Sequence, residues 1–248
     1  VLLENKNAIV YGAAGAIGGA VARAFAQNGA NVFLAGRTLA TLEEVASDIR
    51  AQGGKAEVAQ LDALDQAAVE AHADAVAAAA GRIDVSFNAV AIDAIQGVAL
   101  TELAVDDFVD PIAGYGRTNF LTAITAARHM AAQGAGVIIT VTASSAKESR
   151  HMMGGFSLAN AGIEALTRTL AGEVGRSGVR VVGMRANFTP DTHPGATEAM
   201  LAPLLRDTLL GRLPRLAELA STAVFLASDG AGAMSGAMVN LTCGAIID

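Results

Sequence analysis

Short apolar runs rich in Val and Ile alternate along the chain with longer, Ala-rich segments in which apolar residues recur at helical spacing. That alternation predicts parallel strands joined by crossover helices, because a strand covered on both faces reads as a continuous apolar run and its covering helix as an amphipathic one. We place strands at 8–11, 31–35, 56–60, 83–87, 137–141, 179–184 and 238–241. Helices follow at 17–28, 39–52, 66–80, in a long segment ending near 132, at 156–175 and at 216–226, most of them closed by glycine. The expected fold class is α/β, a doubly wound seven-stranded parallel sheet with helices on both faces. No short repeat, low-complexity linker or charge block interrupts the pattern, so residues 1–248 are expected to form a single domain. Three stretches stay irregular, at 89–105, 110–116 and 186–203, and they follow or approach strand carboxyl ends, where open α/β sheets bind ligands.

Composition narrows the chemistry. With 248 residues and 52% hydrophobic side chains, the chain can bury roughly three quarters of the surface its unfolded form exposes, which excludes a disordered tail or a disulfide miniprotein. A net charge of −7 from 17 basic and 24 acidic side chains, without a dense Lys/Arg cluster, leaves no electrostatic footprint for nucleic acid or anionic lipid. A small molecule is the expected partner. No stretch reads as a membrane span of roughly 20 apolar residues, and the opening residues 1–6 lack a secretory leader pattern. The single cysteine, Cys243, cannot form an internal disulfide; this fits a reducing compartment and equally a secreted protein without bridges. A cytoplasmic location is expected. His72, His129 and His193 have no carboxylate or cysteine at ligand spacing, so no metal site is expected.

Between the first strand and first helix lies Gly12-Ala13-Ala14-Gly15-Ala16-Ile17-Gly18-Gly19. Small residues there let the backbone turn tightly and approach a pyrophosphate at a helix N-terminus, as in a Rossmann-like dinucleotide site. Glycine also serves plain turns, but a strand before and a helix after favour the nucleotide reading. Gly12, Ala14, Gly15, Ala16, Ile17 and Gly18 are therefore candidate cofactor contacts. After the second strand, Gly36 stands where an acidic residue would accept from an adenosine ribose, and Arg37 and Thr38 follow. A guanidinium suits a 2′-phosphate, which favours NADP(H) over NAD(H), with a solvated surface arginine as the plainer alternative.

From Lys6 to Asp248 the chain resembles the short-chain dehydrogenase/reductase family. The resemblance rests on the glycine turn, Asp62-Ala63 after the third strand, Asn88-Ala89 after the fourth, and Asn119 on the long helix. It continues through Ala161-Gly162-Ile163-Glu164-Ala165-Leu166, Gly178-Val179-Arg180-Val181 and Phe225-Leu226-Ala227-Ser228-Asp229 with Ser235-Gly236. The frame departs at Tyr11, Val90 and Ala186-Asn187, where Thr, Gly and Pro-Gly are usual. The resemblance implies that Asp62 lies against adenine and that Ala63, Asn88 and Ala89 border the cofactor. It also implies hydride transfer between nicotinamide and a carbonyl or alcohol carbon, with a Tyr exchanging the proton, a Ser orienting the oxygen and a Lys lowering the Tyr pKa while holding the ribose.

Aligning on Ala161-Gly162-Ile163 puts Phe156 at the Tyr, Asn160 at the Lys and Ala143 at the Ser. Phe has no proton to give, Ala cannot hydrogen-bond an oxygen, and a neutral Asn, though able to reach a ribose hydroxyl, cannot depress a neighbour's pKa by charge. Loss of general acid catalysis is worth about 10²–10⁴-fold. A shifted register recruits Ser144 or Ser145, but the two tyrosines are Tyr11, inside the cofactor turn, and Tyr115. Tyr115, on an inserted loop at 110–116 beside Pro111, Gly114 and Gly116, and His151, in the substrate loop, are the candidate proton donors, alongside the retained Asn119. In the family that Asn helps hold a helix bend and a water on the proton path. Met152, Met153, Phe156, Phe188 and Met200 suggest an apolar pocket wall, with core packing as the alternative.

Three functions remain open: a divergent NADP(H)-dependent oxidoreductase acting on a small apolar carbonyl or enone, a nucleotide-binding sensor or partner subunit without turnover, and elimination or isomerisation in the same pocket. The Ala/Gly-rich face at 159–171 leads to an expected homotetramer or homodimer.

Overall fold

A computed structural model describes residues 1–148 and 151–247. All seven expected strands form: β1 (Asn7–Tyr11), β2 (Asn31–Gly36), β3 (Lys55–Gln60), β4 (Val85–Asn88), β5 (Gly136–Ala143), β6 (Val179–Ala186) and β7 (Met238–Leu241). They pair in parallel in the order β3-β2-β1-β4-β5-β6-β7. The helices are α1 (Ala16–Gln27), α2 (Leu39–Ala51), α3 (Gln66–Ala80), α4 (Val105–Gln133), α5 (Phe156–Val174), α6 (Glu198–Arg206) and α7 (Leu216–Ala227).

Alternation along the strands divides the core into two layers. Ala8 and Val10 of β1 join α1, α2 and α7 on one face, through Val21, Leu42 and Leu219. Ile9 and Tyr11 join α3, α4 and α5 on the other, through Val69, Leu121 and Leu170. Every residue of β1 is buried, as a central parallel strand requires. Helix ends obey local rules where the sequence offers them. The Asp65 carboxylate caps α3 by accepting from the Ala68 N–H at 3.2 Å, and Gly81, at φ 80°, stops it in the left-handed conformation.

Two of the irregular stretches need correction. Residues 110–116 are helical, inside α4, so Tyr115 reaches the site from a helix and not from an inserted loop. Pro111 removes one intrahelical donor, an effect that usually ends a helix. Tertiary contact overrides it: Pro111 is buried, and a Cβ on Gly155, at the start of α5, would meet the Phe108 carbonyl and lie 3.0 Å from the proline ring. Within 186–203 the chain forms a 3-10 turn, Pro190–Thr192, and then enters α6, whose N-cap hydroxyl on Thr197 accepts from the Met200 N–H at 3.4 Å. Pro203 hid that helix from pattern reading. The stretch at 89–105 is irregular up to the start of α4.

Behind the carboxyl ends of β5 and β6 lies a buried ion pair. Arg185 of β6 donates from Nε to Glu164 Oε1 at 2.6 Å and from Nη2 to Oε2 at 2.9 Å, with side chains 2% and 5% exposed. Thr142 Oγ1 of β5 adds a bond to the same carboxylate at 3.3 Å. Together they tie α5 to the two strands that end at the site. Removing one charge strands the other in a low-dielectric interior, typically at a cost of about 3–5 kcal/mol. Glu164→Gln is expected to lower unfolding stability by about that amount, seen as a lower urea midpoint with an unchanged slope, whereas Glu164→Met with Arg185→Met recovers much of the loss.

Candidate functional site

The glycine turn folds as its composition demands. Gly12 takes φ 73°, and a Cβ there would sit 2.6 Å from the Ala89 carbonyl; a Cβ on Gly18 would strike the Gly12 carbonyl. The turn is held by Gly12 N–H to Ala35 O at 2.9 Å and Gly15 N–H to Gly12 O at 3.0 Å. Gly15, the N-cap of α1, offers no side-chain acceptor, and no acidic residue occupies the first turn. The N–H groups and positive dipole end of a 12-residue helix are thus left for an outside anion.

A cleft of about 210 Å³ opens at this turn, lined by Gly12, Ala14, Gly15, Arg37, Thr38, Asp62 and Ala63 among others. The Arg37 carbonyl accepts from Gln60 Nε2 at 2.9 Å, which fixes its backbone. Among the described residues no side chain pairs with the exposed Arg37 guanidinium. Asp62 turns Oδ1 back to the Leu64 N–H at 2.9 Å. Small residues, uncapped N–H groups and an unpaired guanidinium fit a phosphorylated nucleotide.

A second cavity, of about 290 Å³, meets the first along Ala89, Val90 and Ala91 and receives Ile17, Asn88, Tyr115, Asn119 and Asn160. Ala16 and Gly18 border neither cavity; Ala16 opens α1 and Gly18 is buried in the turn. Asn88 anchors the shared loop: its Nδ2 donates to Thr122 Oγ1 at 2.8 Å and its Oδ1 accepts from the Val90 N–H at 2.9 Å. Asn119 donates from Nδ2 to the Tyr115 carbonyl at 3.0 Å, so two of the candidate residues are linked through one turn of α4. The Asn119 Oδ1 is buried and has no partner among the described residues.

Ala143, Phe156 and Asn160 come together in the cavity wall. The Asn160 Oδ1 accepts from the Ala143 N–H at 2.8 Å, and its Nδ2 donates to the Phe156 carbonyl at 2.8 Å, so the amide clamps the end of β5 to the start of α5. One Nδ2 proton remains uncommitted by these bonds. The Tyr115 ring packs edge-on against Phe156, with centroids 5.8 Å apart at 69°. Burial pushes the Tyr115 phenol above its ordinary pKa, a backbone hydrogen bond from Ile92 opposes that shift, and the Asp93 carboxylate adds to it. Tyr11 is sealed in the core, its phenol also pushed up by burial.

Ser144 donates to Asn187 Oδ1 at 3.3 Å, while the buried Ser145 hydroxyl has no partner among the described residues. Met153 and Phe188 line the cavity with Phe156. Met152, Met200 and His151 lie outside its lining, and all three are exposed. Thr192, which the sequence pattern did not single out, and His193, which it marked only as lacking metal-ligand partners, also line it, and the His193 ring stacks on Phe188 at 4.4 Å and 27°. The available signal was position alone, in the stretch after β6 where ligands bind.

The family model described as Enoyl-(Acyl carrier protein) reductase matches residues 12–245. An uncharacterized oxidoreductase, YxbG, of Bacillus subtilis (strain 168) is 35% identical over 243 residues, 94% of this chain and 88% of that protein. Among solved structures, a short-chain type dehydrogenase/reductase from Mycobacterium marinum is 29% identical with a TM-score of 0.86, over 96% of this chain and 94% of the other. A gluconate 5-dehydrogenase from Burkholderia cenocepacia J2315, solved with NADP and tartrate, is 25% identical with a TM-score of 0.90, over 98% and 96%. With the parallel sheet, the glycine turn and the paired cavities, these likenesses establish that the chain belongs to the short-chain dehydrogenase/reductase family of oxidoreductases.

Proposed function

We propose that the chain is an NADP(H)-dependent reductase of small apolar carbonyl or enone compounds in which Tyr115 supplies the proton. The observation that carries this reading is the edge-on contact between Tyr115 and Phe156. In it a phenol from α4 enters the wall where α5 begins, in a chain whose α5 offers no tyrosine.

The uncapped start of α1 would hold the pyrophosphate, Arg37 the 2′-phosphate, Asp62 and Ala63 the adenine end, and the remaining Asn160 N–H a ribose hydroxyl. The solved relative from Burkholderia cenocepacia carries NADP. When bound, the nicotinamide supplies a hydride to an electrophilic carbon. Everything else falls to the protein. Ile17, Val141, Met153, Phe156 and Phe188 give the cavity an apolar wall that excludes water around a neutral substrate.

Tyr115 then sets the direction of chemistry. Its raised pKa keeps the hydroxyl protonated at neutral pH, so it can donate to a developing alkoxide or enolate. Deprotonating an alcohol would need a phenolate, and Asn160 has no positive charge with which to stabilise one. The residues thus support reduction over oxidation. Phe120 and Leu158, 51% and 52% exposed on α4 and α5, support association of copies into a dimer or tetramer.

Stereospecific transfer of deuteride from labelled NADPH to at least one member of a ketone and enone panel is the expected result. NADPH binding without transfer to any of them would support the non-turnover alternative instead. Tyr115→Phe should lower kcat by about 10²–10⁴-fold with little change in NADPH affinity, and undiminished turnover would remove Tyr115 from the chemistry. Because the phenol pKa lies above its ordinary value of about 10, the wild-type rate should not fall through phenol ionisation until the pH exceeds roughly 10. Arg37→Ala should weaken NADPH about tenfold or more while leaving NADH nearly unchanged in fluorescence titrations; equal losses would argue against the 2′-phosphate contact.

A further inference from the structure

The segment following β6 carries a chain of short polar contacts that ends on one imidazole nitrogen. The Thr189 carbonyl accepts from the Thr192 N–H at 3.0 Å and faces Thr192 Oγ1 at 2.9 Å. Thr192 Oγ1 in turn lies 2.7 Å from His193 Nδ1. A hydroxyl has one proton to give. Were it given to Nδ1, the Thr192 oxygen and the Thr189 carbonyl would face each other at 2.9 Å with lone pairs opposed and no proton between them. Both contacts are hydrogen bonds in one arrangement only: Thr192 donates to Thr189, and the Nδ1–H of His193 donates to Thr192. In that arrangement the neutral ring carries its proton on Nδ1, and Nε2 is a bare acceptor.

Nε2 has no hydrogen-bond partner among the described residues, and His193 lines the cavity at an exposed position. Stacking on Phe188 at 4.4 Å holds the plane of the ring. An acceptor with a fixed tautomer and a fixed plane, on a wall that also carries the apolar Phe188, recognises one class of group: an uncharged O–H or N–H at the edge of an apolar ligand.

We propose that His193 is a specificity-determining residue, presenting Nε2 to the cavity as an acceptor, and that the preferred ligands carry a neutral hydroxyl or N–H donor beyond their reducible group. This rests on the reductase reading for turnover but not for binding. Thr192 and Thr189 act as positioning residues that hold the proton on Nδ1.

The tautomer is tested first, on the full ¹⁵N-labelled chain, by long-range proton–nitrogen correlation spectra under alkaline conditions that keep imidazoles neutral. The His193 resonances are assigned by their disappearance in His193→Gln. A protonated Nδ1 is expected in the wild type, with a shift toward protonated Nε2 in Thr192→Val; a wild-type ring protonated on Nε2 overturns the proposal. Ligand recognition is then tested by calorimetry and by the same resonances with two nearly isosteric ketones, 4′-(hydroxymethyl)acetophenone and 4′-ethylacetophenone. The hydroxymethyl compound should move the Nε2 resonance, and His193→Phe should weaken it about fivefold while changing the ethyl compound by less than about twofold. His193→Gln, which keeps an acceptor, should retain part of the difference and serves if the Phe variant fails to fold. Equal losses for both ketones, or no binding of the hydroxymethyl compound, overturn the proposal. Failure of the reductase reading is a different result: the binding preference persists, but neither ketone is reduced with NADPH.

Discussion

Where the chains leaving β1 and β4 diverge, backbone lies directly against backbone. The Gly12 α-carbon faces the Ala89 carbonyl at a separation that leaves no room for a side chain, and Gly18 faces Gly12 in the same way. That close approach is the constraint on which the site depends. It turns the start of α1 toward the cleft with its N–H groups uncapped, and it places Ala89, Val90 and Ala91 where both cavities share them. Asn88 keeps the arrangement rigid by tying the same loop to Thr122 of α4, so the helix that carries Tyr115 and Asn119 is registered against the turn.

Chemistry at the site is governed as much by charge that is missing as by groups that are present. Asn160 spends its carbonyl oxygen and one N–H on the backbone of Ala143 and Phe156 and brings no positive charge to the wall. A phenol in such surroundings is shifted by burial first, toward the protonated form. Tyr115 is consequently suited to giving a proton and poorly suited to taking one. The buried Glu164–Arg185 pair, reached from the cavity lining through Thr142, braces α5 against β5 and β6.

Legibility in the sequence followed the range of the interaction involved. The seven strands were readable because a central parallel strand must be apolar on both faces, as β1 is, and that pattern needs no knowledge of its neighbours. The glycine turn was readable because glycine spacing between a strand and a helix is itself local geometry. The course of residues 110–116 was not, since Pro111 speaks locally for a break and only its burial against Gly155 keeps α4 continuous. His193 was dismissed for want of a metal-ligand partner, while its real partners, Thr192 beside it and Phe188 five positions earlier, become meaningful only after the 3-10 turn folds them together.

The amino-acid order by itself determined the fold class, the glycine turn and which side chains are available to exchange a proton, because these follow from periodicity, glycine placement and the chemistry of single residues. Tertiary structure decided which of them meet. It seated Tyr115 against Phe156, left His151 outside the cavity, turned Asn160 onto the backbone and brought His193 into the wall. Those choices are made by packing between elements distant in sequence, and no local pattern encodes the distance across a cavity.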